Sequence, residues 1–277
     1  MIQKSTRPSC PLHLATALPQ LTELMHEVSE LQLRFFQTDL AIQQKQDHTP
    51  VTLADQQSSE LICAQLQQLS SWPVLSEESA HPSWSERQHW QTYWLVDPLD
   101  GTREFIAGRA EFTINIALIQ SGWPVFGLIW SAATGKGWWG ALGHGAYAIS
   151  ENKPPQAMAT QPPPSSLTDW VVLSSHHSKV TAASWHCALQ TCRVEFLGSS
   201  LKFCRIASGQ AHLYWRAGPT GEWDTAAGQA IVEAAGGLVI DLEHQEPLRY
   251  NQKESLINPS FVVASGRDTR WQDLLKS

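Results

Sequence analysis

The sequence lacks the features that would place it within a membrane or in an oxidising compartment. No apolar run in its 277 residues approaches the length of a membrane span. The N-terminal stretch has basic residues but no apolar segment after them, so no secretory signal is evident. Its five cysteines form no C-x-x-C pair, and their odd number argues against a disulfide framework. We therefore expect a cytoplasmic protein with reduced thiols.

Positive charge is also scarce in this chain. The 19 Lys and Arg residues against 26 Asp and Glu give a net charge of −7, with a sequence pI near 5.9. This balance argues against a nucleic-acid-binding surface. The apolar content of 42% and the length are those of a globular protein with a sizeable core. An acidic pocket that holds divalent cations would still attract phosphate, because bound cations invert the local field.

The most informative stretch that is present is Asp97–Thr102, D-P-L-D-G-T, which follows an apolar run. The proline ends regular strand pairing and the glycine turns the chain, so Asp97, Asp100 and the Leu99 carbonyl can be directed at one point. Carboxylate and carbonyl oxygens are the ligands of hard divalent cations such as Mg²⁺. An isolated motif of this kind is more often a strand-ending turn with two solvated acids.

Three further acidic motifs accompany this stretch. They are Glu77-Glu78 after a short apolar run, Thr52–Asp55 at the start of a predicted helix, and Glu222–Asp224 before an alanine-rich helix. Each has an ordinary explanation as a solvated helix start or a helix cap. Their joint occurrence in this order favours a shared role at one site.

The four motifs together resemble the inositol monophosphatase superfamily of lithium-sensitive, Mg²⁺-dependent phosphomonoesterases. The resemblance extends from about Leu18 to Ser265, and the pairing of D-P-L-D-G-T with W-D-x-A-A is highly specific for the superfamily. Longer strings resemble its bacterial 3′(2′),5′-bisphosphate nucleotidases; these are Pro73–Glu78, Arg87–Trp90, Tyr93–Thr102, Glu104-Phe105, Glu111–Ile119, Gly198–Cys204, Gly218–Thr220 and Trp223–Gly228. The substrate expected from this branch is a small nucleotide.

The resemblance implies a site for two Mg²⁺ ions, with a third, weaker ion near Glu77. The first ion would be bound by Glu77, Asp97 and the Leu99 carbonyl, and the second by Asp97, Asp100 and Asp224. Asp55 and the Thr102 hydroxyl would orient and deprotonate the attacking water. A threonine alone is a poor base, but a carboxylate partner allows it to relay a proton. The ordinary alternative for Thr102 is a turn hydroxyl bonded to its own backbone.

Substrate contacts are expected from two groups of residues. The first group belongs to the metal site and comprises Glu77, Leu99, Asp100, Gly101, Thr102 and Asp224, while the second comprises His176, Ser199, Lys202 and Arg216. The second group matches, in type and spacing, positions with which related bisphosphate nucleotidases hold the nucleotide. The amides of Gly198–Ser200 precede a predicted helix and could receive a phosphate or ribose oxygen.

The assignments in the second group have alternatives. Lys202 lies in the first turn of the predicted helix, where a cation is unfavourable unless an anion is bound nearby. His177 stands beside His176 and is an equal candidate. Arg216 could instead be a surface residue at the end of a strand.

A layered αβαβα fold of the α+β or α/β class is implied by the resemblance, with an N-terminal half at 1–150 and a C-terminal half at 151–277. The apolar repeat from Leu18 to Val28 predicts a first helix that begins near Pro19. Short strands between residues 94 and 149 predict an antiparallel meander in the half that carries most of the metal ligands.

The C-terminal half is expected to be α/β and to contribute Asp224 and the nucleotide-binding residues. Residues 151–166 hold five prolines and are predicted to form a surface linker. The predicted strands after it are Val171–Leu173, Val194–Leu197, His212–Trp215 and Leu238–Ile240, and the predicted helices are Thr181–Leu189, Leu201–Ser208 and Asp224–Ala235.

The function expected from the resemblance is Mg²⁺-dependent removal of the 3′-phosphate from adenosine 3′,5′-bisphosphate, which gives AMP and clears a by-product of sulfate assimilation. Adenosine 3′-phosphate 5′-phosphosulfate is an expected second substrate, and Li⁺ an expected inhibitor. One alternative is an inositol or polyol monophosphatase with the same metal core. Another is a nucleotide sensor without turnover, which predicts a missing ligand or base, and none is missing.

Some features of the chain depart from the family pattern or leave questions open. Arg103 stands where relatives often have lysine, and His48–Pro50 replaces the usual serine-proline, so a role of Lys45 or Asp47 at a third metal stays open. The stretch before Leu18 matches no family motif. Related nucleotidases occur at the cytoplasmic face of the inner membrane, yet no lipidation motif or basic amphipathic helix is evident here. The sequence does not predict the oligomeric state.

Overall fold

The computed structural model describes residues 7–36, 43–44, 50–151, 153–176, 191–268 and 270–275. The helices in these ranges are α1 (Leu14–Phe35), α2 (Leu53–Leu69), α3 (Trp84–Arg87), α4 (Thr102–Ile106), α5 (Leu201–Ala207), α6 (Ala226–Ala234) and α7 (Arg270–Leu275). The strands are β1 (Gln43–Gln44), β2 (Pro50–Val51), β3 (Val74–Ser76), β4 (Thr92–Asp100), β5 (Thr113–Gln120), β6 (Trp123–Ser131), β7 (Lys136–Ala141), β8 (Gly145–Ser150), β9 (Gln156–Met158), β10 (Val171–Ser174), β11 (Arg193–Phe196), β12 (Leu213–Arg216), β13 (Leu238–Asp241) and β14 (Phe261–Ala264). Single 3-10 turns lie at Leu167–Asp169 and Glu222–Asp224.

Helices and sheets alternate in five layers. The helices α1 and α2 cover one face of a seven-stranded sheet of order β3-β4-β5-β6-β7-β8-β9. The helices α5 and α6 lie between this sheet and a five-stranded sheet of order β11-β10-β12-β14-β13, and α7 packs on the outer face of the second sheet. Along β4, Trp94 packs toward α1 and α2, whereas its neighbours Tyr93 and Leu95 face α5 and α6. The expected αβαβα fold is confirmed.

The first sheet contains the predicted meander, with an additional strand at each edge. β4 to β8 pair antiparallel in sequence order, β3 adds in parallel to β4, and β9 adds antiparallel to β8. The prediction of a linker over 151–166 is therefore wrong at Gln156–Met158. The five prolines flank this short edge strand and do not interrupt it, which is why their number was misleading. The division of the chain at residue 150 stays a prediction.

The second sheet is mixed. β10 pairs in parallel with β11 and β12, whereas β14 pairs antiparallel with β12 and β13. The four strands expected in this half are present, but the buried apolar run Phe261–Ala264 was not predicted as a strand although it lies between β12 and β13 in the sheet. The predicted helix Thr181–Leu189 lies outside the described residues, as do His177, Lys45, Asp47 and the segment 45–49.

The first helix begins at Leu14, five residues before the predicted start. Pro19 lies inside α1, where it cannot donate a hydrogen bond to the carbonyl four residues earlier. Ala17 and Leu21 are buried on either side of it, so packing against the sheet offsets that loss. Among the described helices, none combines the length and the apolar character needed to cross a membrane.

Close approach of α6 to the first sheet fixes the position of the segment before α6. A methyl carbon on Gly127 of β6 would lie 2.3 Å from the carbonyl oxygen of Ala227, and one on Gly140 of β7 would lie 2.7 Å from Cα of Ile231. Only glycine leaves room for helix backbone at these points. The 3-10 turn at Glu222–Asp224 leads directly into this helix, so the sheet glycines determine how closely that turn approaches β4.

We expect Gly127→Ala to lower the free energy of unfolding by about 1–3 kcal/mol, the usual cost of overpacking a core. Urea unfolding of the metal-free protein, followed by circular dichroism, measures this. Gly266→Ala is the matched control, because a methyl carbon at Gly266 would meet no described atom within 4 Å. Equal unfolding midpoints for the two variants would contradict the close-packing explanation.

Candidate active site

The carboxylates of the D-P-L-D-G-T stretch lie at the end of β4, where the strand contains a bulge. Asp97 pairs with Asn115 of β5 but Asp100 pairs with Thr113, so three steps along β4 match two along β5. Residues three apart in a regular strand point to opposite faces, and the additional residue cancels this difference. Pro98 occupies the bulge, where its missing N–H costs no ladder hydrogen bond. The bulge therefore turns Asp97 and Asp100 to the same side.

Two carboxylates from other segments meet Asp97. Glu77 directly follows β3, which neighbours β4 in the sheet, and Asp224 ends the 3-10 turn before α6. One carboxylate oxygen from each of Glu77, Asp97 and Asp224 lies within 4.8 Å of the others. We call these three residues the acidic cluster. The structure thus joins three of the four acidic motifs of the sequence at one point.

Asp224 does not cap α6, whose first residue is Ala226. Its carboxylate accepts a hydrogen bond of 2.8 Å from the amide of Gly221 and so closes the 3-10 turn. The prediction that the helix begins at Asp224 is wrong by two residues. The reason is local, because the Asp224 carboxylate accepts from the Gly221 amide of its own short turn and not from an amide of α6.

Asp100 and Leu99 lie beside the acidic cluster in the same turn. Asp100 Oδ2 accepts from the Ser200 amide at 2.5 Å and from Asn115 Nδ2 at 3.4 Å. The Leu99 amide donates to Asp97 Oδ1 at 3.0 Å, and the Leu99 carbonyl accepts from the Thr102 hydroxyl at 3.3 Å. The turn is held by its own polar groups and by the start of α5.

Asp55 and Thr102 form a direct pair. The Thr102 hydroxyl donates to Asp55 Oδ1 at 3.0 Å, while Asp55 Oδ2 accepts from the Thr52 amide at 2.8 Å and from the Thr52 hydroxyl at 2.6 Å. The bond from the Thr52 amide is one half of the capping box of α2, and the other half is the Ala54 amide, which donates to the Thr52 hydroxyl oxygen at 3.1 Å. Gly101, with φ of 94°, reverses the chain so that Thr102 faces Asp55. Asp55 therefore caps a helix and contacts Thr102 at the same time.

Burial and like charge raise the pKa values of the carboxyl groups at this site. Desolvation raises the pKa of Asp97 well above its usual range, and Glu77, Asp100 and Asp224 raise it further. Desolvation also raises the pKa of Asp224 well above its usual range, with Asp100 and Glu77 adding to it. Desolvation raises the pKa of Asp100 to about 6, although the charge of Lys202 opposes the shift. Burial raises the pKa of Asp55 against its hydrogen bonds from Thr52 and Thr102.

The segment Gly198–Ser200 is already engaged by carboxylates of the protein. The Gly198 amide donates to Glu111 Oε2 at 2.6 Å, and the Ser200 amide donates to Asp100. These two amides thus donate to protein carboxylates in this structure, and their contact with substrate oxygens stays a prediction. Ser199 has a positive φ of 47°, which a non-glycine residue seldom adopts.

Lys202 is buried below this segment. Its ammonium donates to the carbonyl oxygens of Leu197 at 3.0 Å and Ser199 at 2.6 Å, and it lies 5.2 Å from the centre of the Tyr214 ring. Burial lowers the pKa of Lys202 to about 8, while Asp100 raises it. Two of its three N–H donors are thus used by the backbone of the loop that carries Ser199.

His176 and Arg216 are the outer members of the second group. His176 Nε2 lies 2.7 Å from Glu111 Oε2, and its ring stacks on the exposed Phe196. Arg216 Nε is buried and has no hydrogen-bond partner among the described residues. Its charge lowers the pKa of Asp224, so it stands within electrostatic reach of the acidic cluster.

Sequence reasoning did not single out three residues that support this site. Glu111 joins His176 to Gly198, Asn115 joins Asp100 to the Ser200 hydroxyl, and Gln32 of α1 donates to the Pro98 carbonyl at 2.7 Å. Their partners lie far away in the sequence, so spacing carries no signal for them. Glu111 and Asn115 do fall within the family-like string Glu111–Ile119.

The donor set fits a hard divalent cation. Oxygen ligands from Glu77, Asp97 and Asp224 converge, and Asp97 is 1% exposed. Buried carboxylates this close repel each other and are poorly hydrated, and a cation between them relieves both costs.

Comparison with known proteins assigns this geometry to a family. The family model described as the inositol monophosphatase family matches residues 14–275, nearly the whole chain. The chain belongs to the inositol monophosphatase family. Members of this family are metal-dependent phosphatases, so the chain is a phosphatase of a metal-dependent family.

Curated relatives and solved structures agree with this placement. The 3′(2′),5′-bisphosphate nucleotidase CysQ of Escherichia coli K12 is 44% identical over 229 residues, which cover 79% of this chain and 87% of that protein. The CysQ of Aggregatibacter actinomycetemcomitans is 33% identical over 96% of this chain and 99% of its own. The crystal structure of CysQ from Bacteroides thetaiotaomicron has a TM-score of 0.75 at 32% identity, covering 92% of this chain and 99% of that one. An IMPase of Thermotoga maritima, 20% identical with a TM-score of 0.77 over 93% of this chain and 95% of that one, shares the fold.

The raised carboxyl pKa values predict how pH affects the stability of the metal-free protein. A carboxyl whose pKa rises on folding stabilises the fold below its unfolded pKa, and this contribution is lost as the pH rises through the folded value, about 6 for Asp100. We expect the melting temperature in chelator to fall between about pH 5 and about pH 7, below the Lys202 pKa of about 8. Added Mg²⁺ should raise the melting temperature by more at the upper pH than at the lower pH.

Asp97→Asn is the matched variant, because it keeps the shape of the side chain and removes one charge. It should flatten the pH dependence in chelator and abolish most of the stabilisation by Mg²⁺. Scanning calorimetry at both pH values measures this. If Mg²⁺ stabilises the wild-type protein and Asp97→Asn equally, the acidic cluster is not the cation site.

Proposed function

We propose that this enzyme removes the 3′-phosphate of adenosine 3′,5′-bisphosphate to give AMP and phosphate, with Mg²⁺ as cofactor. The observation that carries the proposal is the combination of an acidic cluster with two cationic side chains, Lys202 and Arg216, within electrostatic reach of Asp100 and Asp224. One phosphate would bind to Mg²⁺ held by the acidic cluster. The other would bind to the side chains of Lys202 and Arg216. The bisphosphate nucleotidases named among the relatives support this substrate. Adenosine 3′-phosphate 5′-phosphosulfate is proposed as a second substrate.

The ligands of Mg²⁺ in this proposal are those expected from the family resemblance. Glu77, Asp97 and the Leu99 carbonyl would hold one ion, and Asp97, Asp100 and Asp224 a second. When bound, Mg²⁺ supplies positive charge that offsets the phosphate oxygens and acidifies water. The convergence of three carboxylates within 4.8 Å supports at least one such site. A third ion near Glu77 stays a prediction.

The proton of the attacking water passes to the Thr102–Asp55 pair. The Thr102 hydroxyl donates its own proton to Asp55 Oδ1, so its oxygen lone pairs are free to accept the proton of a water. As the water oxygen bonds to phosphorus, the water loses a proton to Thr102 and Thr102 passes its own proton to Asp55. The bond from phosphorus to the 3′-oxygen breaks, the 3′-oxygen takes a proton from solvent water, and Asp55 returns its proton to solvent. Burial raises the pKa of Asp55, which makes it a better base than an exposed carboxylate.

The 5′-phosphate is assigned to Lys202 and Arg216, with Ser199 and His176 at the rim. The buried Arg216 Nε without a partner among the described residues supports a ligand there. Lys202 retains one donor beyond its bonds to Leu197 and Ser199. His176 contacts Glu111, and its ring stacks on the exposed Phe196. This arrangement supports a contact between these rings and the adenine of the substrate.

The alternative substrate is an inositol or polyol phosphate hydrolysed by the same metal core. A neutral polyol requires no second phosphate-binding group, which disfavours it. A sensor without turnover is disfavoured because the acidic cluster and the Asp55–Thr102 pair are both assembled. The cytoplasmic location and the association with the inner membrane stay predictions. The oligomeric state stays open.

Phosphate release from adenosine 3′,5′-bisphosphate and from inositol 1-phosphate, measured in parallel with Mg²⁺, tests the substrate. We expect a preference for the nucleotide of at least about 100-fold in kcat/KM, equivalent to about 2.7 kcal/mol, and inhibition by Li⁺. A comparable rate on the inositol ester would keep the metal site and reject the nucleotide.

Replacement of Lys202 tests the second phosphate site. Lys202→Met keeps most of the side-chain length and should raise KM for adenosine 3′,5′-bisphosphate about 10–100-fold, since hydrogen bonds to charged groups contribute about 1.5–3 kcal/mol. Adenosine 3′-monophosphate, which lacks the 5′-phosphate, is the matched control substrate and should be little affected. An equal loss on both substrates would mean that Lys202 only supports the loop at Ser199.

A further inference from the structure

A chain of buried hydrogen bonds runs along α6 to the turn that carries Asp224. The Gln229 amide group donates to Glu233 Oε1 at 3.1 Å and to the Leu248 carbonyl at 3.2 Å, and its oxygen accepts from the Tyr250 hydroxyl at 2.7 Å. The Tyr250 hydroxyl also lies 3.1 Å from the Thr225 hydroxyl. We call this chain, from Glu233 through Gln229 and Tyr250 to Thr225, the α6 network.

The α6 network ends one residue from a proposed metal ligand. Thr225 follows Asp224, and its one hydroxyl hydrogen is shared between the Tyr250 hydroxyl oxygen at 3.1 Å and the Glu222 carbonyl at 3.2 Å. The Thr225 hydroxyl oxygen accepts from Asn258 Nδ2 at 3.0 Å. Asn258 Nδ2 also donates to the Gly221 carbonyl at 2.6 Å. The network therefore contacts the 3-10 turn at Thr225, and Asn258 links Thr225 to Gly221, whose amide binds the Asp224 carboxylate at the other end of the turn.

Burial makes this network costly to break. Gln229 and Tyr250 have no solvent-exposed surface and Thr225 is 1% exposed. A polar group at such a place has no water to replace a lost partner, so removing one member leaves the next unsatisfied. The turn must also resist the repulsion between Asp224 and the other carboxylates of the acidic cluster.

The far end of the network is tied to the segment before α1. Arg7 forms an ion pair with Glu233, and its guanidinium lies 4.4 Å from the centre of the Trp123 ring. Arg249 lies 4.1 Å from the same ring. The N-terminal segment, which matches no family motif, thus contacts the network from outside.

We infer that Tyr250 is a positioning residue for the metal-ligating turn, and that the α6 network holds Asp224 against Asp97. The inference rests on the proposed function only through the role of Asp224 as a Mg²⁺ ligand. Hydrogen-bond partners behind a ligand typically change metal affinity about 10–100-fold when they are removed. Arg7 supports the same network from its surface end through Glu233.

Tyr250→Phe against Tyr93→Phe is the test. Both tyrosines lie in the same core cluster, but the buried Tyr93 hydroxyl has no hydrogen-bond partner among the described residues. Direct titration of each metal-free variant with Mg²⁺ by calorimetry should show affinity lowered about tenfold or more for Tyr250→Phe and unchanged for Tyr93→Phe. At saturating Mg²⁺, kcat of Tyr250→Phe should return toward the wild-type value.

A second pair of variants keeps the inference testable if Tyr250→Phe does not fold. Thr225→Ser retains the hydroxyl and should keep Mg²⁺ affinity near that of the wild-type protein, whereas Thr225→Val removes it and should lower affinity. Equal Mg²⁺ affinity for Thr225→Val and Thr225→Ser would overturn the inference, as would equal affinity for a folded Tyr250→Phe and Tyr93→Phe. Wild-type binding of Mg²⁺ without hydrolysis of the nucleotide would reject only the proposed substrate.

Discussion

Repulsion among carboxylates that are buried together is the constraint on which the rest of this structure depends. Glu77, Asp97 and Asp224 come from three separate segments and converge within 4.8 Å, with Asp100 beside them. In water these groups would separate, and burial makes their charged forms still less favourable. The fold must hold each segment in place against this repulsion, so that the oxygen ligands are already close together when a cation binds.

The supporting features act on different scales. A bulge turns Asp97 and Asp100 to one side, and a left-handed glycine brings Thr102 to Asp55. At longer range, glycines in β6 and β7 let α6 approach the sheet, and Ser200, directly before α5, supplies the amide that binds Asp100. Binding oxygens are thereby placed by rigid elements and short turns, which suits a reaction that depends mainly on positioning and charge.

Local chemistry in the sequence was enough to predict much of this. The strands of the meander and the turn at Asp97–Thr102 followed from periodicity and from proline and glycine placement, whereas the layered fold followed from the family resemblance. Pro19 was misleading because tertiary packing of Ala17 and Leu21 overrides its local cost. The pairing of Gly198 and Ser200 with Glu111 and Asp100 could not be predicted, because contacts across 87 and 100 positions of the chain leave no trace in spacing.

The double use of Asp55 has a consequence for how relatives of this chain are interpreted. The capping box ties Asp55 to the stability of α2, because its carboxylate satisfies the amide of the N-cap residue Thr52. A descendant that no longer turned over substrate would still be selected to keep this aspartate for folding. Retention of Asp55 in a relative is therefore weak evidence of activity. Thr102, whose hydroxyl bonds serve the site turn and not a helix cap, is the better diagnostic position.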